Sequence, residues 1–430
     1  MDKTAVVFLV DRNNRWSLVA LVAAFQRSQP SGSKLIWVDL LPSYNNLLQI
    51  IKSLLGEYKQ IVLAYSFMTP QWAEIKKEWK NIKDSVDSER VFIIAGGAHP
   101  TGAVKAVIDA GCWGVLAGEG EESFPQVIDY IQQGAIGNAP PGLYRSIEGK
   151  IQGKKALPVL GWEESFPFPT NPPLFSPIEI TRGCPFKCTY CSTPIIKGTK
   201  VRHRTVSVIV EAVKFMIKQG KKDVRFITPN ALSYGSTSGK EPNLEALDLL
   251  LGSIRQVLPP DGRIFFGSFP SEVRPEFVNE ETARILKTYC ANKQIVVGAQ
   301  SGSDRMLRLM RRGHTVEDVL KACEILPQFG FTPAVDIIFG LPGEDEEDMR
   351  ASLNVIDKLS QIGARIHAHY FMPLPGSRWA NLSPTPLPQS LRRQIERLIA
   401  QGKLFGQWMH QERFAIQTTI SLALPKQSMV

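Results

Sequence analysis

Cys184, Cys188 and Cys191 stand in the spacing C-x3-C-x2-C, directly behind a short apolar run. Three thiolates this close on one loop can take three corners of a single metal centre. Thiolates suit zinc or an iron–sulfur cluster. A structural zinc site needs a fourth ligand, and the nearest ring nitrogen is His203, with eleven residues between it and Cys191. That gap matches no usual zinc pattern. Four irons held by three cysteines leave one iron open, and an open position marks a catalytic centre rather than a structural one. The other cysteines read as small buried hydrophobes. Cys112 stands in a helix-to-strand turn, Cys290 at a helix end and Cys323 inside a helix.

The elements that must position this loop follow it in the chain. Six apolar runs read as parallel strands: 178–181, 223–228, 263–268, 294–299, 332–339 and 365–371. Stretches of helical period separate them at 206–218, 244–257, 275–289, 316–329 and 346–361. In such βα arrays functional residues collect at the carboxyl ends of the strands. Those ends are rich in polar residues, Gly and Pro, among them Asn230, Glu272, Gln300, Ser301 and, further on, Arg312. The alternative for each polar residue is a helix cap or turn, and for Arg312 a surface helix-end cation.

The first 135 residues alternate in the manner of a doubly wound α/β sheet. Strands are expected at 4–10, 34–40, 60–67, 90–95 and 113–117, with helices including 15–26 and 44–55. Ligands of such sheets bind at the strands' carboxyl ends. Ser66, Gly96-Gly97 and Glu119 stand there, and paired glycines allow close backbone approach to a ligand or simply make the turn. A hairpin at 142–156, turning at Glu148-Gly149, precedes six prolines between 158 and 177, which form a stiff linker. The expected organisation is therefore 1–140, a hairpin and linker at 141–176, a βα domain at 177–377, and a C-terminal segment at 378–430. Within that segment, 388–410 reads as one amphipathic helix with Leu391, Ile395, Leu398, Ile399 and Phe405 on its apolar side.

The 430 residues are 43% hydrophobic, far too apolar for a disordered chain. The longest apolar stretch, 16–25, is too short for a membrane span, and charges at 2–3 and 11–12 interrupt any signal core. These features place the chain in the cytoplasm, where disulfides are rare.

The segment TRGCPFKCTYC resembles the cluster loop of radical S-adenosylmethionine (radical SAM) enzymes, with the aromatic Tyr190 just before the last cysteine. The resemblance implies that Cys184, Cys188 and Cys191 bind a 4Fe–4S cluster. The amino and carboxylate groups of SAM then chelate the fourth iron, and one electron cleaves SAM to methionine and a 5′-deoxyadenosyl radical. It also implies a partial (β/α)6 barrel of the TIM type, and SAM contacts from Tyr190, Asn230, Glu272, Gln300, Ser301 and Arg312. The segments GAQSGSDRMLRLMRRGHT, DIIFGLPGEDEEDM and FMPLPGSR resemble two branches of that family. One comprises the methylthiotransferases, which carry a second three-cysteine cluster near the N-terminus. Here that region holds only Cys112. The other branch has an N-terminal cobalamin-binding domain, whose layout the first 135 residues resemble. On that reading Ser66, Gly96, Gly97 and Glu119 contact cobalamin. Its frequent Asp-x-His-x-x-Gly after strand one is Asp11-Arg12-Asn13-Asn14-Arg15 here, so no histidine from that loop reaches cobalt.

The expected fold is thus α/β: a Rossmann-like sheet, a radical SAM partial barrel and a helical C-terminal segment. The expected activity is cobalamin-dependent methylation of an unactivated carbon. The alternatives are a cobalamin-free radical SAM enzyme with a vestigial first domain, a methylthiotransferase, and a non-catalytic cluster sensor. The net charge of +9 lies wholly beyond residue 150. Between Arg182 and Arg225 stand eleven basic and two acidic residues. Such a face suits an acidic electron donor such as flavodoxin or ferredoxin, or an anionic substrate, in preference to nucleic acid. A solvated helix face explains it as well.

Overall fold

A computed structural model describes residues 4–39, 45–86 and 89–423. The expected positions Leu40 and Tyr44, and residues 424–430, lie outside the described residues. The chain divides into two compact units, Met1–Ser176 with Ile195–Gly198, and Pro177–Pro194 with Thr199–Val430.

The first unit is built on seven strands: β1 (Thr4–Val10), β2 (Ser33–Asp39), β3 (Gln60–Ser66), β4 (Val91–Gly96), β5 (Gly114–Leu116), β6 (Leu143–Ile147) and β7 (Lys150–Gly153). Their order is β2-β1-β3-β4-β5-β6-β7, with β1–β5 parallel. Strand alternation sends Ala5, Val7 and Leu9 to one face and Val6, Phe8 and Val10 to the other. Helices Asn45–Glu57 and Trp72–Ser85 cover the first face, and Arg15–Arg27 and Ser123–Gln132 the second. Both faces are buried, which is why the strands read as continuous apolar runs. The hairpin turns through Glu148 and Gly149, both at positive φ, and pairs antiparallel on β5. It therefore extends the sheet.

The second unit begins at β8 (Ile178–Glu179). The single strand expected at 178–181 is split, and β9 (Thr181–Arg182) pairs antiparallel with β10 (Arg202–His203) instead. There follow β11 (Asp223–Ile227), β12 (Arg263–Phe265), β13 (Gln294–Gln300), β14 (Thr332–Phe339), β15 (Arg365–Tyr370) and β16 (Leu404–Phe405). The ladders run β12-β11-β8 and β13-β14-β15-β16, all parallel. A parallel bridge at Val273–Val297, with Val296 N–H donating to Gly267 at 2.8 Å, joins the two into one open, curved sheet. Helices on its outer side complete a partial βα barrel.

Two local expectations are corrected. The helix expected from 275 starts at Glu280, because Asn279 caps it by accepting from Thr282 N–H, and a 3-10 turn holds 275–277. The single helix expected over 388–410 is two helices, Gln389–Ala400 and Trp408–Ala423. Gly402 at φ +69 ends the first. The backbone then pairs with β15 as a seventh barrel strand, which turns Phe405 40% exposed, while Leu391, Ile395 and Leu398 stay buried. Among the described residues no helix is long and apolar enough to cross a membrane.

Candidate metal centre and cofactor cavity

The β9–β10 ladder closes the base of the cysteine loop, reinforced by Arg204 N–H to Ile180 O at 2.8 Å and Thr181 Oγ1 beside His203 Nδ1 at 3.0 Å. Gly183 opens the loop at φ +85, with Lys200 O only 2.1 Å from where a Cβ would stand. A backbone carbonyl cannot yield as a flexible side chain can, so glycine is required there. Gly183→Ala is expected to lower iron content after anaerobic reconstitution at least tenfold, read by iron assay and cluster absorbance. Circular dichroism should still report a folded barrel.

All three cysteines are free thiols, Cys188 buried and the others half-buried. Cys191 N–H donates to Cys188 O at 3.2 Å, and Thr193 N–H to Cys191 Sγ at 3.4 Å. Burial raises the thiols of Cys184 and Cys191. Metal binding there must therefore release protons.

Arg312 packs beside the loop and is itself buried. It donates from Nη2 to Gly298 O at 2.6 Å and from Nη1 to Tyr190 OH at 3.2 Å, with Cys188 Sγ 3.7 Å away. Its Nε is buried without a partner. Burial works against its charge, but the neighbouring Tyr190 and Cys188 more than offset this and hold its pKa above the ordinary value. A second buried cation, Arg274, stacks 3.4 Å over Phe186, bonds Glu276 at 2.6 Å and donates to Arg312 O. These two arginines push the buried His314, already disfavoured as a cation by burial, down to about 2.

The loop borders a cavity of about 420 Å³. Cys184, Cys188, Cys191 and Tyr190 line one side, and Glu272, Gln300 and Arg312 also face it. Gln300 gets there through a bulge at the end of β13, where it takes φ +75. Burial, then the charge of Asp336, pushes Glu272 up to about 7. The structure does not bring Asn230 or Ser301 into the lining. Asn230 is buried and accepts Arg274 N–H at 3.2 Å, tying two strand ends together. Ser301 is buried against Ser352 and accepts Ser303 N–H at 3.2 Å. Of the aromatic residues at the strand ends, Phe269 and Tyr370 line the cavity, whereas Tyr234 is core and donates to Arg204 O at 2.7 Å. Sequence reasoning missed Arg274, Asp336, His369 and Gln411, all in the lining.

The basic run is only partly a surface. Arg182 is 1% exposed and paired with Glu179 at 2.7 Å, and Arg204 is buried. Lys214 and Lys222 pair with Glu211 and Asp261. Lys187 and Lys200 remain exposed near the loop in sequence.

In the first unit, Gly97 (φ +93) leaves no room for a Cβ, which would stand 2.8 Å from Ser66 Oγ and 2.9 Å from Phe67 N. Its close approach is thus to its own chain. Ser66 Oγ lies 2.8 Å from Ser17 Oγ. Gly96 ends β4 beside them. Glu119 is buried and accepts Val159 N–H at 3.0 Å, which fastens the linker over the end of β5. Asp11 accepts Asn13 and Asn14 N–H groups and closes the turn after β1.

Residues 178–356 match the model of the radical SAM superfamily, and the three cysteines lie inside the match. The second unit carries a radical SAM domain. The chain is 33% identical over 233 residues to the tRNA-2-methylthio-N(6)-dimethylallyladenosine synthase of Pelobacter propionicus, covering 53% of this chain and 50% of that protein. It spans about half the length of the curated methylthiotransferases it matches. An uncharacterized methyltransferase of Pyrococcus horikoshii is 25% identical over 354 residues, 78% of this chain and 71% of that one. The radical SAM methyltransferase TsrM of Kitasatospora setae, solved with cobalamin and a [4Fe-4S] cluster, superposes with a TM-score of 0.70 at 16% identity, over 90% of this chain and 76% of that one. The cobalamin-dependent enzyme OxsB gives 0.65 at 16% identity, over 82% and 52%. These two share the fold of both units.

Proposed function

We propose that this radical SAM enzyme is a cobalamin-dependent methyltransferase acting on an unactivated carbon. The observation that carries the SAM chemistry is one cavity lined by three free thiols and a buried arginine with an unpartnered N–H. The donor set fits a 4Fe–4S cluster held by Cys184, Cys188 and Cys191 with one iron open. Bound there, the cluster supplies the electron that cleaves SAM. Arg312 fixes the Tyr190 hydroxyl beside the loop and offers Nε to the SAM carboxylate, a charge-assisted contact. Glu272, with its raised pKa, accepts from the SAM amino group. Val273, Ile338, Phe371 and Leu374 give the cavity apolar walls that limit water.

The methyl-transfer part draws support from the fold shared with TsrM across 90% of the chain. Ser66, Gly96 and Gly97, at the carboxyl edge of the first sheet, are the residues to hold a corrinoid, without a histidine from the first loop on cobalt. A second reading dispenses with cobalamin, so that the barrel serves hydrogen abstraction followed by rearrangement or oxidation. It is favoured by Ser66, Gly97 and Glu119, which are already engaged within the chain. Methylthiotransfer is disfavoured because the first unit's only cysteine, Cys112, is buried, lying 3.1 Å from Ile93 O and 2.8 Å from Gly114 O. The reductant is an acidic flavodoxin or ferredoxin meeting the exposed Lys187 and Lys200.

The test is protein expressed with cobalamin, purified anaerobically, reduced and given SAM. The expected result is corrinoid absorbance near one per chain, together with 5′-deoxyadenosine or S-adenosylhomocysteine. Cleavage of SAM without corrinoid bands selects the second reading. A loaded cluster that cleaves no SAM overturns both.

A further inference from the structure

The cavity lining includes Asp336 and His369, which with His367 form a cluster of side chains that the SAM chemistry leaves unused. Asp336 comes from β14, and His367 and His369 come from the adjacent β15. Asp336 Oδ1 lies 3.0 Å from His367 Nδ1 and 3.4 Å from His369 Nε2. One ligand atom from each residue falls within 4.8 Å of the others. Asp336 and His369 face the cavity, and Asp336 is nearly buried, at 5% exposure. Among the described residues no Lys or Arg pairs with Asp336; both of its bonds go to Oδ1, leaving Oδ2 free for another partner. Glu272 stands in the same lining.

We propose that Asp336, His367 and His369 form a second metal site, distinct from the cysteine centre, for a first-row divalent cation such as Mn²⁺, Fe²⁺ or Zn²⁺. Two imidazoles and one carboxylate are a donor set such ions accept, with positions left open to a substrate. For metal–ligand bonds of about 2.1 Å, neighbouring ligand atoms stand about 3.0 Å apart in an octahedron and about 3.4 Å apart in a tetrahedron. The 3.0 Å separation from Oδ1 fits an octahedral edge and the 3.4 Å one a tetrahedral edge, so a bound ion must draw the three side chains into one geometry. The cation presents a Lewis-acid face to a substrate oxygen or nitrogen in the cavity.

Gln411 makes the proposal specific. Its Oε1 accepts Tyr370 N–H at 2.8 Å, so its Nε2, 3.5 Å from His369 Nδ1, is the group turned to the ring. With a metal on Nε2, the Nδ1 of His369 carries a proton, and the Gln411 amide must turn to present an acceptor to it. A ligating histidine needs such an acceptor on its second nitrogen. Gln411→Glu supplies one without that rearrangement.

The test uses anaerobic holoenzyme with its cysteine cluster loaded, titrated with Mn²⁺ and followed by the loss of the free-ion EPR signal. Equilibrium dialysis with Zn²⁺ runs in parallel, and neither readout depends on turnover. The expected result is one ion per chain, with affinity about 100-fold weaker in Asp336→Asn and His369→Ala and about tenfold tighter in Gln411→Glu. Iron content and circular dichroism of each variant confirm a folded, loaded protein. The absence of stoichiometric binding of either ion overturns the proposal and leaves a hydrogen-bonded carboxylate–imidazole network. Binding that survives Asp336→Asn overturns it as well. Because the cysteine cluster is assayed separately, failure here leaves the SAM chemistry standing.

Discussion

Cys188→Ser is expected to abolish SAM cleavage, with 5′-deoxyadenosine formation falling at least about 1,000-fold, equivalent to about 4 kcal/mol of barrier. The three thiols are the only cysteines lining the cavity, and two thiolates leave two irons of a four-iron cluster without protein ligands. A serine hydroxyl is a harder and far weaker acid than a thiol, so it does not take the vacant corner. Cys188 is the most buried of the three, with Arg312 Nη1 3.7 Å from its sulfur, so the variant also leaves that cation facing a neutral hydroxyl. Deoxyadenosine is measured by chromatography alongside iron content. Cys290→Ser, which changes a thiol at a helix end outside the cavity lining, serves as the control and keeps its iron. Iron and cleavage retained in Cys188→Ser would remove the centre from this loop.

The second large effect is expected at Arg312. Its Nη2 donates to Gly298 O and Nη1 to Tyr190 OH, while Nε is buried without a partner. Arg312→Met removes a buried charge and leaves a carbonyl and a hydroxyl without their donor. That loss is costly in the interior. SAM affinity, measured by equilibrium dialysis, is expected to fall about 100-fold, or about 2.7 kcal/mol. Arg312→Lys restores a charge but not the planar fork, and it recovers at most about tenfold of the loss. Full SAM affinity in either variant would reduce Arg312 to a structural brace between β13 and the cysteine loop.

Much of this protein was legible in its residues. The C-x3-C-x2-C spacing is local, so the chain alone brings three thiols together, whatever surrounds them. The strands of the first unit read as apolar runs because both faces of its sheet are covered, and the Glu148-Gly149 turn acts through its own backbone. The start of the helix at Glu280 was missed although a local side-chain cap, Asn279, sets it; elsewhere a distant partner decided. One amphipathic helix over 388–410 was the local solution, but β15 offered an unpaired edge, and Leu404–Phe405 took it.

The cluster of Asp336, His367 and His369 belongs to that second kind of information. Asp336 sits inside an apolar run, and His367 and His369 alternate along another; neither stretch has a ligand spacing of its own. They meet because β14 and β15 are neighbours in register, Asp336 opposite His367, and because alternate side chains share the barrel's inner face. Gln411 reaches them only after β16 has carried the chain back to the sheet. Glu119 and Arg204 show the converse: their types suggested a ligand contact and a docking surface, and packing assigned them to the linker and the core. Sequence alone determined that three thiols share one loop, the basis of the proposed cluster chemistry, because thiol spacing and backbone freedom act over a few residues. Tertiary structure alone decided what faces that loop across the cavity, because strand register sets those distances between residues far apart in the chain.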